Sequence, residues 1–239
     1  MIPKKIHYIW LGGNSKSKLT EVCINSWKRN LEDFEIIEWN ENNIDIESLC
    51  SQNMFLKRCY ELKLWAFVSD YLRLWILKEE GGIYLDTDVE VLKSFDDLLN
   101  NKVFMGYELE DYISTAVIGA EKNNSLIKRL LKFYDEEIWT VDFINNPIIF
   151  KYLEKKEPDS FADCIIYPQD YFSPYNPRQE YTDVVETKNT YSIHWYSNNW
   201  NVSKKGYIFM HTKHISNPIK HMLITIKKAF GYSKQYGKR

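Results

Sequence analysis

The chain holds 239 residues, 44% of them hydrophobic and 27% charged, at a formal net charge of −2. That length and balance fit one well-cored soluble domain over residues 1–239 and exclude a chain too small to build a core. No apolar run approaches membrane-spanning length, and no nucleic acid is expected as a partner.

The near-neutral total conceals an asymmetry. Residues 187–239 carry ten Lys or Arg and no Asp or Glu, while residues 1–186 set 21 basic groups against 33 acidic ones. The body is therefore near −12 and the tail near +10. Such a split points the tail toward something anionic: phosphates, acidic lipid or the acidic body itself. The cysteines, Cys23, Cys50, Cys59 and Cys164, show no metal-like pairing, and "MIPKKIHYIWLGG" lacks the apolar region of a signal peptide. Both features give the expectation of a reducing, cytoplasmic setting with free thiols.

In chain order, "KKIHYIW" alternates as a first strand and "LGG" ends it with a flexible turn. A helical segment from about Leu19 to Arg29 and a second strand, "FEIIEW", complete a strand–helix–strand unit of the parallel α/β kind. "YELKLWAFVSDYLRLWILKEE", ending at Glu80, is apolar nearly all round, the pattern of a buried helix. Its polar positions Ser69, Asp70 and Arg73 share one narrow stripe. Gly81-Gly82 stops that helix. In "GGIYLDTDVE" a period of two puts Tyr84, Asp86, Asp88 and Glu90 on one side of a strand, with Ile83, Leu85, Val89 and Val91 on the other. Farther on, "STAVIGA" reads as a strand and "SLIKRLLKFYDEEI" as a helix. "NPIKHMLITIKKAF" reads as a late helix with Asn217 as N-cap and Pro218 in its first turn. No repeat, low-complexity tract or linker marks a domain boundary.

Charges are costly to bury unless something pairs with them, and neighbouring carboxylates repel unless a cation or proton is shared. Oxygen ligands favour Mg²⁺ or Mn²⁺, which carboxylates commonly share with substrate phosphates. Asp86 and Asp88 therefore read as half of a metal–diphosphate clamp at the end of a strand, where ligands sit in open α/β sheets. Arg73 offers a planar fork to phosphate or sugar oxygens, and Asp70 on the same helix face would hold it in place. The plainer alternative is a buried ion pair that fixes helix orientation. Trp10, taken alone, reads as core. His194, among Tyr191, Trp195, Tyr196 and Trp200, reads equally as a satisfied core histidine or a ligand. Asp111, Asp170 and "YPQDYFSPY" are candidates for an acceptor side or for loop structure, and Glu90 for a structural role.

Three stretches, "IPKKIHYIWLGG", "SDYLRLWILKEEGGIYLDTDVEVLKSFDDLL" and "SIHWYSNNW", resemble successive motifs of the Asp-x-Asp sugar-transferase family. That family includes yeast-type α-mannosyltransferases, bacterial capsular and lipopolysaccharide glycosyltransferases and, more distantly, the catalytic domains of clostridial glucosylating toxins. The resemblance runs from residue 2 to about residue 200. It implies an α/β GT-A fold, with a Rossmann-like mixed sheet flanked by helices. It also implies a nucleotide-diphosphate sugar donor (UDP-hexose favoured), Mn²⁺ or Mg²⁺, and retention of anomeric configuration. Carried over by position, Trp10 would stack on the base, with Trp200 also on the donor side. Asp70 and Arg73 would contact donor sugar and phosphates beside Ser69, and Tyr84 would line the donor pocket. Asp86 would bind ribose or sugar hydroxyls and reach the metal, and Asp88 would ligate it directly. Asn199 stands where the family often has Ser, which leaves the C-terminal metal ligand open among His194, Asn198 and Asn199.

The acceptor implied is a glycan or lipid-linked glycan in bacterial capsule or lipopolysaccharide assembly. A toxin-like protein glucosyltransferase ranks lower, because the chain is short for the helical insertions of those domains. An Asp-x-Asp phosphatase with a nucleophilic first Asp and a non-catalytic sugar-binding module are the rivals from other classes. In the basic segment from about 213 to 239, Ile219, Met222, Leu223, Ile226 and Phe230 recur at helical spacing with Lys220, Lys227 and Lys228 around them. Such a helix suits peripheral contact with an anionic membrane on its inner face, or packing on the acidic body.

Overall fold

The computed structural model describes residues 1–109, 112–142, 144–180, 184–197 and 202–236. The chain opens with β1 (Lys5–Ile9), α1 (Lys18–Asn30) and β2 (Glu35–Trp39), and β1 pairs in parallel with β2 from Lys5↔Glu35 to Ile9↔Trp39. This is the α/β unit expected from the alternation. Short helices α2 (Ile46–Gln52) and α3 (Met54–Glu61) lead to the long α4 (Trp65–Glu80). The continuous helix expected from Tyr60 to Glu80 is therefore two helices. The break lies at Leu62–Leu64, where Lys63 takes a left-handed φ of 55° and the Leu64 amide donates to the Cys59 carbonyl. Leu64 itself packs so closely on Gly206 that a Cβ there would lie 2.3 Å from it.

Helix α4 buries Phe67, Val68, Tyr71, Leu72, Leu74, Ile76 and Leu77, each worth about 1.5–3 kcal/mol against exposure. It ends at Gly81, φ 66°, followed by Gly82, φ 103°, a backbone that L side chains rarely adopt. A Cβ on Gly82 would meet His7 Nε2 at 2.8 Å. That histidine is fully buried and fully bonded: Nε2–H donates to the Gly81 carbonyl at 2.8 Å, and Nδ1 accepts from Trp39 Nε1 at 3.0 Å. The double glycine thus lets the turn close onto β1.

Beyond it run β3 (Gly82–Leu85), β4 (Val89–Val91), β5 (Val103–Gly106) and β6 (Val117–Ala120). Helices α5 (Ser125–Lys132) and α6 (Asn146–Lys156), β7 (Cys164–Tyr167) and β8 (Ser192–His194) follow, and α7 (Lys204–Thr212) and α8 (Pro218–Tyr236) close the chain. The helix expected through Ile138 is α-helical only to Lys132 and then widens into a π-turn over Phe133–Glu137. Asn217 caps α8 as expected, its side chain accepting from the Lys220 amide at 3.0 Å.

Six strands form one mixed sheet in the order β2-β1-β3-β6-β5-β7, with β6 antiparallel to both neighbours. Strands β4 and β8 form a separate antiparallel pair, Val89↔His194 to Val91↔Ser192. The strand expected to run from Gly82 through Glu90 is accordingly split. Asp86, Thr87 and Asp88 form a turn between two sheets, closed by the Val89 amide on the Asp86 carbonyl at 3.0 Å. The other edge of β4 is satisfied by α1: Trp27 Nε1 donates to Val89 O, Asn30 Nδ2 donates to Val91 O, and Ser26 Oγ accepts from the Val91 amide. All four cysteines are free thiols, Cys23 and Cys59 buried. Among the described residues no helix is long and apolar enough to cross a membrane.

Candidate active site

The turn between β3 and β4 delivers its two carboxylates to the floor of a cleft of about 550 Å³. Strand alternation is not what aligns them; two sheet edges do. On one side, the Asp86 amide is held by Ala116 O at 2.8 Å, and its carboxylate accepts from Tyr84 Oη at 2.8 Å and from Arg73 at 3.2 Å. On the other, the Asp88 carboxylate accepts from the Ser197 amide at 2.8 Å, and its carbonyl accepts from the Trp195 amide at 3.0 Å. His194, at the end of β8, sets Nε2 3.5 Å from Asp88 Oδ1.

Asp86, Asp88 and His194 each present a ligand atom, and the three lie within 4.8 Å of one another. His194 Nδ1 is buried with no hydrogen-bond partner among the described residues. Burial opposes charge on Asp88, but the His194 imidazole and the Ser197 amide outweigh it and hold that carboxyl well below the usual carboxylate range. Burial likewise opposes the His194 cation, while Asp88, and then Asp86 and Glu108, raise its proton affinity. Two carboxylate oxygens and one imidazole nitrogen this close together are a donor set that suits Mn²⁺ better than Mg²⁺, which takes oxygen ligands. Asn199 and Trp200, the other expected ligand and donor contact, lie outside the described residues, as do Asn198 and Asp111.

Arg73 does more for the protein than for a ligand. It is 4% exposed, and its donors are used within the fold: Nε on Ser69 O at 3.2 Å, one terminal nitrogen on Asp86 and on Thr115 O at 2.6 Å, the other on Asp70 Oδ1 at 3.1 Å. Its guanidinium also lies 4.6 Å from the Tyr84 ring centroid. Burial works against the Arg73 charge, and Asp86 leads the groups that restore it. Asp70 is buried, and burial lifts its carboxyl to about 7 against the pull of Arg73. Arg73 thus orients Asp86, with Asp70 as counter-charge behind it. Ser69 and Tyr84 line the same cleft.

Trp10 forms part of the cleft wall, its indole N–H on Asn14 O at 2.8 Å and the Lys16 ammonium 5.5 Å from its ring. Glu90 is structural, accepting from Trp195 Nε1 at 3.1 Å. Asp170 is spent on loop structure, accepting from Thr187 and Asn189. The cleft also holds an acid that no sequence signal marks. Glu108, just beyond β5, lines the cleft, and burial raises its carboxyl against the opposing influence of His194. Its stretch "YELEDY" is acidic and resembles a solvated loop, so only the non-local approach of β5 to the Asp turn reveals it.

The mixed sheet, with an acidic turn leaving a central strand and a cleft above it, defines a GT-A glycosyltransferase fold. Residues 17–105 match the family model described as "Glycosyltransferase sugar-binding region containing DXD motif", which bears out the resemblance to the Asp-x-Asp sugar-transferase family. The chain is 35% identical over 99 residues to glucan organizing enzyme 1 of Cryptococcus neoformans, covering 36% of this chain and 27% of that one. It is 30% identical over 141 residues to the uncharacterized glycosyltransferase L373 of Acanthamoeba polyphaga mimivirus, covering 55% of each. The chain therefore spans about a quarter to about half of the length of these curated relatives. Among solved structures, the UDP-bound glycosyltransferase domain of the YGT toxin superposes with a TM-score of 0.50 at 12% identity, over 100% of this chain and 91% of that one. At that identity the likeness establishes the fold.

Proposed function

We propose that the chain is a metal-dependent, retaining glycosyltransferase that moves a hexose from a nucleotide-diphosphate donor, UDP-hexose first, to a glycan or lipid-linked glycan. Capsule or lipopolysaccharide assembly is the setting assigned to it. One observation carries the reading. Among the described residues lining the cleft, Asp70, Asp86, Asp88 and Glu108 are acidic, and Arg73 is the one Lys or Arg, already engaged by Asp70 and Asp86. A diphosphate entering that cleft meets the Asp86 and Asp88 carboxylates, with Arg73 already engaged, unless a divalent cation accompanies it. Asp86, Asp88 and His194 are the residues that would hold the cation. When bound, such an ion acts as a Lewis acid on the diphosphate leaving group.

The chain's own groups do the rest. Trp10 offers an aromatic face at the cleft wall for the base. Tyr84 and Arg73 keep Asp86 in one orientation, so the first ligand is set before the donor arrives. Glu108, a carboxyl of raised proton affinity, is placed to take the proton of the acceptor hydroxyl. No side chain is assigned as a covalent nucleophile.

A protein acceptor is the second reading. This chain covers 91% of the toxin glycosyltransferase domain above, so chain length does not argue against it. The phosphatase reading draws no support, since the matched region is that of sugar transferases. Isothermal titration of UDP with and without Mn²⁺ tests the proposal. Binding that requires the cation and weakens in Trp10→Ala is expected, and equal binding in the presence of a chelator would contradict it.

A further inference from the structure

Helix α7 is rooted in the core: Met210 is fully buried, and the Phe209 ring lies 6.1 Å from Trp139 and 6.3 Å from Phe55. Helix α8 packs back on α7 with what is nominally its polar side. Lys228 Nζ lies 3.0 Å from His211 Nδ1, Tyr232 Oη donates to Val202 O at 3.1 Å, and the Tyr207 and Tyr232 rings are 5.7 Å apart. The opposite side carries Ile219, Met222, Leu223, Ile226 and Phe230, between 48% and 72% exposed. At helical spacing these five residues form a stripe about 100° wide and about 16 Å long. A globular domain normally turns such a stripe inward, and here it is turned out.

We propose that α8 seats this stripe on an anionic bilayer surface, lying in the interface without spanning it. Charge selects the occupant. Lys220 and Lys227 stand exposed along one edge of the stripe, and no Asp or Glu occurs anywhere after Glu186 to repel an anionic headgroup. A second copy docked antiparallel on the same stripe would set the two basic edges side by side. Apolar insertion with flanking lysines is the chemistry of an interfacial amphipathic helix. The inference is independent of the donor and of the metal.

The test is co-sedimentation of the full chain with phosphatidylcholine vesicles and with vesicles containing phosphatidylglycerol. Binding to the anionic vesicles, weakened by salt, is expected. Lys220→Gln with Lys227→Gln should weaken it about 30-fold, at about 1 kcal/mol per lysine. Leu223→Ser with Phe230→Ser should weaken it by at least about 10-fold. Both pairs should retain parental circular dichroism and donor turnover in solution. Absence of vesicle binding, equal salt-insensitive binding to neutral vesicles, or binding indifferent to Leu223 and Phe230 would each overturn the proposal. So would a dimer that the Leu223/Phe230 pair dissolves in a chain that ignores lipid.

Discussion

Replacing Arg73 with Met keeps the length and apolar contact of the side chain and removes its charge. It deletes the 3.1 Å pair to Asp70, the 3.2 Å pair to Asp86 and the 2.6 Å bond to Thr115 O. The two acids fare differently. Asp86 has a 27% exposed side chain and can turn to water, whereas the Asp70 side chain is 2% exposed and cannot. Above pH 7, where the Asp70 carboxyl is ionised beside Arg73, stranding one member of a buried pair costs about 3–5 kcal/mol, or a fall in Tm of about 6–20 °C for a domain of this size. Asp70→Asn added to Arg73→Met removes the stranded charge and should restore at least half of that loss. Urea unfolding followed by circular dichroism reads both variants. A single variant within about 1 kcal/mol of the parent, or a double variant no better than the single one, would refute the view that Asp70 exists here as the counter-charge of Arg73.

Acid should weaken the fold through His7. Burial pushes its imidazole down from 6.5 to about 4, so below 6.5 the unfolded chain takes up a proton that the folded one refuses. Stability is intact above pH 6.5 and falls by about 3 kcal/mol as pH drops to 4; His7→Gln, whose amide can both donate to Gly81 O and accept from Trp39, should flatten that segment of the pH–stability curve, and an unchanged slope would refute the assignment. Glu108→Gln should lower kcat for transfer to acceptor by about 100-fold while donor KM and Tm stay near parental values, and a variant of full kcat would remove Glu108 from the chemistry.

Local signals were legible where local chemistry decides the structure. The alternation of "KKIHYIW", the Asn217–Pro218 start of α8 and the Gly81-Gly82 stop all appear as read. The break at Leu62–Leu64 was hidden because Lys63 adopts a left-handed backbone without the Gly or Asn that usually marks one. The split of the Asp86–Asp88 stretch was hidden because β4 takes its partner from β8, far along the chain, and its other edge from the side chains of α1. The residue types of the cleft were readable, since paired acids, a buried Asp–Arg stripe and a following His are unusual in apolar surroundings. Their division of labour was not. That Arg73 reaches Asp86 as well as Asp70 depends on how β3 lies against α4, which no local pattern encodes, and Glu108 enters through tertiary approach alone.

On the function proposed above, Asp86, Asp88 and His194 together hold a cation that the donor diphosphate requires. Release of nucleoside diphosphate from UDP-hexose by the parent chain and by Asp88→Asn, each with Mn²⁺ and with chelator, tests it most directly. The parent should turn over only with the cation, and Asp88→Asn should lose at least about 100-fold with unchanged circular dichroism. Turnover that survives the chelator, or an Asp88→Asn variant as active as the parent, would contradict it.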